Sequence, residues 1–228
     1  MASPQHIPDS ERLVIFDCDG VLVDSEMLAI RVLVEAMNSA GADITEAEAY
    51  RLFLGRSLAT VTECLENQYG LHAGPGFLDD MRRRLYARFR EELKPVSGIE
   101  ETLDGLATLR CVASSSQPER IRLALTLTGL IGRLDPHIFS ASMVEHGKPA
   151  PDLFLHAAAR MGVSPDHCIV VEDSPAGVQA AQAAGMKVLL FTGATHALQQ
   201  TYQDEISKIS PNASFDVMTD LLHLIHEV

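Results

Sequence analysis

The sequence predicts an α/β protein in which a doubly wound parallel sheet is interrupted by an all-helical insert. Three observations lead to this fold class. Short unbroken aliphatic runs recur along the chain and suit strands that are buried on both faces. Helix signals lie between the later runs, as in a parallel sheet covered by helices. The residues from 24 to 94 contain no strand-like run and are typical of amphipathic helices instead.

Helix start and stop signals follow the predicted strands in order. The strands are expected at Leu13–Phe16, Cys111–Ala113, Ile138–Ser140, Cys168–Val171 and Val188–Phe191. After the second of these strands, Ser116 with Glu119 predicts a capping box. Ser174 before Pro175 predicts the start of another helix, and Gly185 predicts its end.

The insert has helix signals of its own. Thr45 with Glu48 predicts a capped helix start. Met81, Leu85 and Phe89 are spaced four apart and therefore share one face of a helix, with arginines mostly elsewhere.

Domain boundaries follow from where these helical patterns begin and end. Strand-like order is expected to resume between Pro95 and Gly98, where the chain has turn residues. We therefore expect an α/β core formed by residues 1–23 and 95–228 and a helical insert of residues 24–94. The last stretch, Thr195–Val228, predicts a closing strand and helices.

Charge limits the possible partners. The chain has 228 residues, with 18 Lys and Arg against 31 Asp and Glu, and a formal net charge of −13. A molecule this acidic repels phosphate backbones and anionic lipid heads, so neither nucleic acid nor membrane is expected as a partner. An anionic ligand would need local cations or a bound metal ion.

Cysteine usage and the N-terminus indicate the compartment. The four cysteines contain no Cys-x-x-Cys pair, which favours free thiols in a reducing environment. The first residues lack the basic start and apolar stretch of a secretion signal, and no apolar run approaches the ~20 residues of a membrane span. We expect a cytoplasmic protein, either a monomer or a weak homodimer.

Polar residues come directly after the predicted strands. They are Asp17, Asp19 and Gly20 after the first, Ser114, Ser115 and Ser116 after the second, and Glu172, Asp173 and Ser174 after the fourth. In open α/β sheets ligands bind outside the carboxyl ends of the strands. The three segments are therefore predicted to converge on one site, whereas the nine histidines are dispersed and receive no role.

The residue types at this site indicate phosphoryl chemistry. Four carboxylates, from Asp17, Asp19, Glu172 and Asp173, would repel one another without a cation, and an all-oxygen set favours Mg²⁺. The Ser114 hydroxyl and the start of the following helix suit a phosphate group, and Lys148 supplies a fixed positive charge. One aspartate can then attack phosphorus while the other transfers a proton.

Four ordered motifs resemble those of the haloacid dehalogenase superfamily. They are Asp17-Cys18-Asp19-Gly20-Val21-Leu22-Val23-Asp24-Ser25, Ser114, Gly147-Lys148-Pro149-Ala150-Pro151-Asp152 and Glu172-Asp173-Ser174-Pro175-Ala176-Gly177. The resemblance implies a Rossmann-like core, with Asp17 as nucleophile and Asp19 as general acid/base and, through its carbonyl, a metal ligand. It also implies that Asp173 and Glu172 complete a magnesium site and that the insert is a mobile cap domain.

The subgroup follows from departures within that resemblance. Dehalogenases of the superfamily lack the second aspartate, so Asp19 favours phosphoryl chemistry, and the chain is most similar to the β-phosphoglucomutase-like subgroup with its sugar-phosphate phosphatases. The mutase has a cap histidine where this chain has Ala29 and a lysine where it has Gln117. We therefore expect a Mg²⁺-dependent phosphatase of a sugar, polyol or sugar-acid phosphate, with a phosphomutase as the alternative.

Substrate contacts are expected from two places. Gly55-Arg56-Ser57 resembles the cap loop that reaches into the active site, where Arg56 could grip a second anionic or hydroxylated end of the substrate. Ser115 is expected to contribute backbone groups.

A phospho-receiver module also combines acidic residues, magnesium, a hydroxyl and a lysine. A receiver, however, has no cap. Its phosphorylated aspartate lies on a central strand, whereas this chain has its aspartate pair at the first strand.

Overall fold

A computed structural model describes residues 8, 11–53 and 58–228. Its centre is a six-stranded sheet in the order β3-β2-β1-β4-β5-β6, with every neighbouring pair parallel. The strands are β1 (Leu13–Phe16), β2 (Leu109–Ser114), β3 (Ile138–Ser140), β4 (Cys168–Glu172), β5 (Lys187–Phe191) and β6 (Ala213–Phe215). This is the strand order of a Rossmann-like doubly wound sheet, so the predicted fold class is confirmed.

Burial explains why the short aliphatic runs form strands. All residues of β1 and β4 are buried, as unbroken apolar strands in a parallel sheet should be. Phe16 at the end of β1 pairs with Val112 on β2 and Val171 on β4. This register aligns the carboxyl ends of the three strands and brings the residues that follow them to one edge.

Helices cover both faces of the sheet. Alternate strand residues such as Val14 and Phe16 pack against α5 (Ile99–Gly105), α6 (Pro118–Leu127), α7 (Ile131–Leu134) and α11 (Leu221–Leu224). Leu13 and Ile15 point to the opposite face, against α8 (Asp152–Met161) and α9 (Pro175–Ala183). A sheet with apolar side chains on both faces needs cover on both, and the sequence supplies it through crossover helices.

The segment between β1 and α5 is helical, as expected. It contains α1 (Glu26–Ser39), α2 (Glu46–Phe53), α3 (Leu58–Tyr69) and α4 (Pro75–Glu92). Their apolar faces form most of a second cluster, whereas Leu28, Leu85 and Phe89 pack in a cluster of the sheet. The expected strand-like order near residue 95 is wrong, because there is only an isolated bridge between Val23 and Pro95.

The helix signals have mixed outcomes. The Thr45 backbone N–H donates to the Glu48 side chain, and the Glu48 backbone N–H donates to Thr45 Oγ1. This capping box is therefore confirmed. The Ser174 hydroxyl caps α9 as predicted. The capping box at Ser116 is wrong, since residue 117 precedes α6 without a side-chain cap and the Ser116 hydroxyl has another partner.

The C-terminal part crosses from the core to the insert. A short 3₁₀ turn at Thr195–Leu198 leads into α10 (Gln200–Ile206). Ala197 and Tyr202 of this stretch join the apolar cluster of the insert, and Thr195 Oγ1 donates to Asp24 Oδ1 at 2.8 Å. The insert is therefore packed against the core beyond the two segments that connect them.

Two further expectations concern cysteines and membranes. The four cysteines are free thiols, and Cys18, Cys111 and Cys168 are buried. No helix within the described ranges combines the length and the hydropathy needed to cross a membrane.

Candidate active site

The predicted site residues meet at the carboxyl edge of the sheet. Lys148, in the loop between β3 and α8, brings two strand ends together: its Nζ lies 2.6 Å from Asp17 Oδ1 and 2.6 Å from Glu172 Oε1. It also donates to the Ala113 carbonyl, one residue before Ser114, at 3.1 Å. Lys148 thus contacts the ends of β1, β2 and β4 at once.

Asp17 is the residue that directly follows β1, and it is 7% exposed. Its backbone N–H donates to the Val171 carbonyl at 3.0 Å, which fixes the start of the loop against β4. Burial raises the pKa of Asp17 well above its usual value, and the Lys148 ammonium opposes that shift. An anionic Asp17 therefore depends on positive charge beside it.

Asp19 lies in a different environment. Its Oδ1 accepts from the Arg120 guanidinium at 2.7 Å and from the Ser25 hydroxyl, and its Oδ2 accepts from the Ser116 hydroxyl at 2.7 Å. Burial favours a higher pKa, but Arg120 and the two hydroxyl donors outweigh it, and the pKa of Asp19 is lowered. The two aspartates, separated by one residue, therefore have pKa values shifted in opposite directions.

Glu172 ends β4 and has protein partners for both of its oxygens. Its Oε2 accepts from the backbone N–H groups of Asp173 and Ser174 and from the Ser174 hydroxyl, each at 2.9 Å, while Oε1 faces Lys148. The first turn of α9 makes room for it, because a Cβ at Gly177 would lie 1.9 Å from a Glu172 oxygen. This carboxylate is 1% exposed and anchors Lys148.

Asp173 is buried beside a histidine. Its Oδ2 lies 3.0 Å from His196 Nε2. Burial raises the pKa of Asp173, with His196 acting in the opposite direction, and contact with Asp173 raises the pKa of His196 against the effect of burial. Gly20 passes close by at φ +81°, and a Cβ there would lie 1.9 Å from Asp173 Oδ2. Only glycine fits this position.

The serines after β2 have distinct environments. Ser114 is buried, and its Oγ accepts from the Ser116 backbone N–H at 3.1 Å. Ser115 is exposed and lines the adjoining cavity together with Ser114 and Ser116. Helix α6 begins at Pro118, so its first turn lies next to these three residues.

A cavity of about 410 Å³ opens between this edge and the insert. The core side carries the charged residues described above. The insert contributes mainly apolar side chains, namely Ile30, Leu33, Phe53, Val61, Leu78, Met81 and Leu85, with Arg51, Arg82 and Tyr86 among its polar ones. Glu26, at the start of α1, lines the cavity where burial and the nearby Asp19 raise its pKa to about 7.

The acidic side chains at this edge of the sheet match the needs of a divalent cation. Within the described ranges, no three His, Cys, Asp or Glu side chains form a ready-made metal cage. The carboxylates of Asp17, Asp19, Glu172 and Asp173 nevertheless lie close together, and the positive charges beside them are those of Lys148 and Arg120. This excess of buried negative charge, carried by oxygen, fits a hard cation that keeps several waters.

Sequence reasoning located some site residues and missed others. The structure brings Asp17, Asp19, Ser114, Ser115, Lys148, Glu172 and Asp173 to one cavity. Gly55, Arg56 and Ser57 lie outside the described residues. The contacts that these acids make with Ser25, Ser116, Arg120 and His196 were not predicted, although Ser25 and Ser116 lie in segments that were expected at the site. Only the Ser-x-x-x-Arg spacing after β2 hints that Arg120 lies near it.

The geometry thus combines a buried aspartate after the first strand of a Rossmann-like sheet, a lysine paired with it and a helical insert across the cavity. Residues 14–191 match the family of haloacid dehalogenase-like hydrolases. The chain belongs to this family, and the enzyme class expected from the sequence, a phosphoric monoester hydrolase, is confirmed.

Individual relatives agree with this assignment. The chain is 30% identical over 184 residues to a 6-phosphogluconate phosphatase of Escherichia coli (strain K12), covering 80% of this chain and 83% of that one. A haloacid dehalogenase-like protein of unknown function from Agrobacterium tumefaciens shares 37% identity at a TM-score of 0.82, covering 95% and 98% of the two chains. A hydrolase of the haloacid dehalogenase family from Deinococcus radiodurans, with bound phosphate and sodium, shares 29% identity at a TM-score of 0.76. The match covers 96% of this chain and 97% of that one.

Proposed function

We propose that this enzyme is a Mg²⁺-dependent phosphatase of a small phosphorylated metabolite and that it works through an aspartyl-phosphate. The observation that carries the proposal is the pair of aspartates after β1. Asp17 is buried against Lys148 at 2.6 Å, whereas Asp19 is held by Arg120 and two hydroxyls. Two carboxyls in such different surroundings suit two different roles in one reaction.

In the first step, a carboxylate oxygen of Asp17 attacks phosphorus and the bond to the ester oxygen breaks. Asp19 must be protonated for this step, against the contacts with Arg120, Ser25 and Ser116 that favour its carboxylate, and it gives that proton to the departing alcohol. In the second step, water attacks the phosphorus of the aspartyl-phosphate while Asp19 takes a proton from it. Inorganic phosphate leaves, and the carboxylate of Asp17 is restored.

Binding of the phosphoryl group is assigned to Ser114, Lys148 and the first turn of α6. Ser114 offers a hydroxyl at the end of β2, and backbone N–H groups at a helix start favour an anion. Lys148 supplies positive charge next to Asp17, which favours the anionic form that the attack requires. Ser115, which lines the cavity beside them, is proposed to contribute backbone contacts.

The residues proposed to hold the metal ion are Asp17, Asp173 and the backbone carbonyl of Asp19. When bound, Mg²⁺ supplies positive charge against the phosphoryl oxygens and the surrounding carboxylates. Glu172 was also expected to be a metal ligand. Because Lys148 and three donors after β4 occupy its oxygens, we propose that it acts on the metal site indirectly, by holding Lys148 and the loop of Asp173.

The helical insert is proposed to be a cap domain of residues 24–94, on a core of residues 1–23 and 95–228. Supporting this division, the Asp24 N–H donates to the Lys94 carbonyl at 3.0 Å where the two connecting segments meet. A cap over the 410 Å³ cavity would exclude water during phosphoryl transfer and contact the leaving group.

Hydrolysis is favoured over isomerisation by two positions in the cavity wall. Ala29 and Gln117, where the resemblance to the mutase would place a histidine and a lysine, both line the cavity. Neither side chain can act as a general acid or base, and neither can carry a positive charge. We propose that the leaving alcohol departs and is not phosphorylated again.

The substrate class follows from the relatives and from the cavity size. One relative is a 6-phosphogluconate phosphatase, and a cavity of about 410 Å³ has room for a molecule of that kind. We propose a sugar, polyol or sugar-acid phosphate as substrate. The net charge of −13 supports a small ester over nucleic acid, and a cytoplasmic monomer or weak homodimer remains our expectation.

Phosphate release from a panel of such esters, with Mg²⁺ or with a chelator, tests the proposal. Matched esters that share a carbon skeleton, such as gluconate, sorbitol and glucose 6-phosphates, separate the three classes. We expect Mg²⁺-dependent release from at least one class without an isomeric phosphate product. Isomerised product in place of inorganic phosphate, or release that does not require a divalent cation, would contradict it.

A further inference from the structure

Asp173 is held by two residues that lie after β5 and outside all four motifs. His196 Nε2 lies 3.0 Å from Asp173 Oδ2. The Tyr202 hydroxyl donates to the Asp173 backbone carbonyl at 2.6 Å. One contact therefore fixes the side chain of Asp173 and the other fixes its main chain.

These two residues also fix each other. The rings of His196 and Tyr202 meet edge to face with centroids 4.8 Å apart, and the residues are 2% and 6% exposed. The other side of the histidine is blocked by the loop after Asp19, since a Cβ at Gly20 would lie 2.9 Å from His196 Cε1. The imidazole therefore has little freedom to turn away from Asp173.

A role in packing alone does not explain these polar contacts. Burying an imidazole is costly unless its nitrogens have partners, and within the described part of the chain His196 Nδ1 has none. Among the described residues, the one hydrogen-bond partner of the imidazole is Asp173. A residue retained only to fill space would be apolar here, as the neighbouring Ala194 and Ala197 are.

We infer that His196 and Tyr202 are positioning residues that hold Asp173 in the orientation in which it binds the metal ion. The inference rests on the proposed function, in which Asp173 is a metal ligand. With Oδ2 engaged by His196, we assign the metal ion to the other oxygen of the carboxylate. Ala197 and Tyr202 also pack in the apolar cluster of the insert, so the same turn joins the metal ligand to the helices above it.

Binding of Mn²⁺, followed by the electron paramagnetic resonance signal of the free ion, tests the inference without measuring turnover. His196→Leu removes the donor, and His196→Gln keeps one. Tyr202→Phe removes a single hydroxyl and keeps the ring. His156→Leu and Tyr69→Phe are matched controls, because His156 contacts Phe139 and Tyr69 packs within the insert, both away from Asp173.

Loss of a residue that orients a metal ligand typically weakens metal affinity about 10–100-fold. We expect a weakening in this range for His196→Leu and substantial recovery in His196→Gln. Tyr202→Phe, which removes one hydrogen bond to the main chain, should lose less affinity, and both controls should keep that of the parent enzyme. Substrate KM at saturating metal should stay near that of the parent enzyme.

Unchanged Mn²⁺ affinity in folded His196→Leu would overturn the inference, as would a raised substrate KM without a change in metal affinity. If His196→Leu does not fold, unchanged affinity in Tyr202→Phe would overturn it equally. If the parent enzyme does not bind Mn²⁺, both the inference and the proposed metal site are wrong. If the parent enzyme binds Mn²⁺ and the variants bind it equally well, only the inference is wrong.

Discussion

The ion pairs of Lys148 in the core and of Arg82 and Arg83 in the insert differ in burial and in the sequence separation of their partners. The side chain of Lys148 is 4% exposed, and the side chains of its partners Asp17 and Glu172 are 9% and 1% exposed. In α4 of the insert, Arg82 pairs with Asp79 three residues away and Arg83 with Asp80, at side-chain exposures between 33% and 77%. One kind of contact is buried and joins different strand ends, whereas the other is local and solvated.

This difference shows which charges can take part in chemistry. A solvated pair within one helix gains little, because water screens both charges and the side chains lose freedom. A buried pair leaves an uncompensated charge when either partner is removed. Removing one partner therefore destabilises the protein strongly, and the intact pair fixes the geometry of the site. The core therefore holds reacting groups in place, while the surface of the insert is tolerant of change.

The largest effect is expected for Asp17→Asn. The amide nearly keeps the shape of the side chain but cannot form an aspartyl-phosphate, so kcat/KM should fall about a thousandfold or more. Phosphate release from the best substrate of the panel measures it. Asp79→Asn, at an exposed position of α4, is the matched control and should retain parent activity. Substantial activity in Asp17→Asn would refute the assignment of the nucleophile.

Lys148→Met should lower both activity and stability. It leaves the Asp17 and Glu172 carboxylates facing each other in a buried place, which should reduce the free energy of unfolding by about 3 kcal/mol in metal-free protein. Loss of positive charge at the phosphoryl group should lower kcat about 10²–10³-fold. Urea unfolding and steady-state kinetics measure the two effects, with the exposed Lys208→Met as control. Equal stability of the two variants would contradict the claim that the Lys148 pairs are structurally required.

Ser116→Ala tests the hydrogen bonds that lower the pKa of Asp19. A carboxyl with a lowered pKa in the folded state stabilises the protein above its unfolded pKa of ~3.9, and that contribution is lost as pH falls through the lower folded value. In metal-free protein the variant should therefore be less stable by about 1–2 kcal/mol at pH 7, and the difference should shrink at acidic pH. Urea unfolding across pH measures it. A difference that stays constant down to pH 3, or one equal to that of the exposed Ser39→Ala, would argue against this role.

The smallest effect is expected for Arg83→Ala in the insert. The pair of Arg83 with Asp80 is solvated, and such pairs contribute about 0–1 kcal/mol. Chemical denaturation should show a stability change within about 0.5 kcal/mol, and kcat should not change. A loss comparable to that of Lys148→Met would contradict the contrast between the two regions.

Much of the core was predictable because its signals are continuous along the chain. Each aliphatic run could only be a buried strand, and the rule that ligands bind at the carboxyl ends placed Asp17, Ser114 and Glu172 at one edge. The helical character of residues 24–94 followed equally from local pattern. Near Pro95 the same local reasoning was wrong, because a single bridge satisfies the backbone there and no strand forms.

The contacts around the acids could not be predicted from the same signals. Arg120 reaches Asp19 from the third residue of α6, and His196 reaches Asp173 from a turn after β5. Both contacts depend on the three-dimensional placement of elements far apart in sequence. Ser116 has the sequence signature of a helix cap, yet Asp19 is the better acceptor for its hydroxyl.

The most direct test of the account is to locate the phosphoryl group on the enzyme. After brief mixing with Mg²⁺ and the best substrate, an acid quench followed by peptide mass spectrometry should show one phosphoryl group on Asp17. Asp17→Asn should show none. Phosphate release without a phosphorylated Asp17, or a phosphoryl group on another residue, would contradict the proposed mechanism.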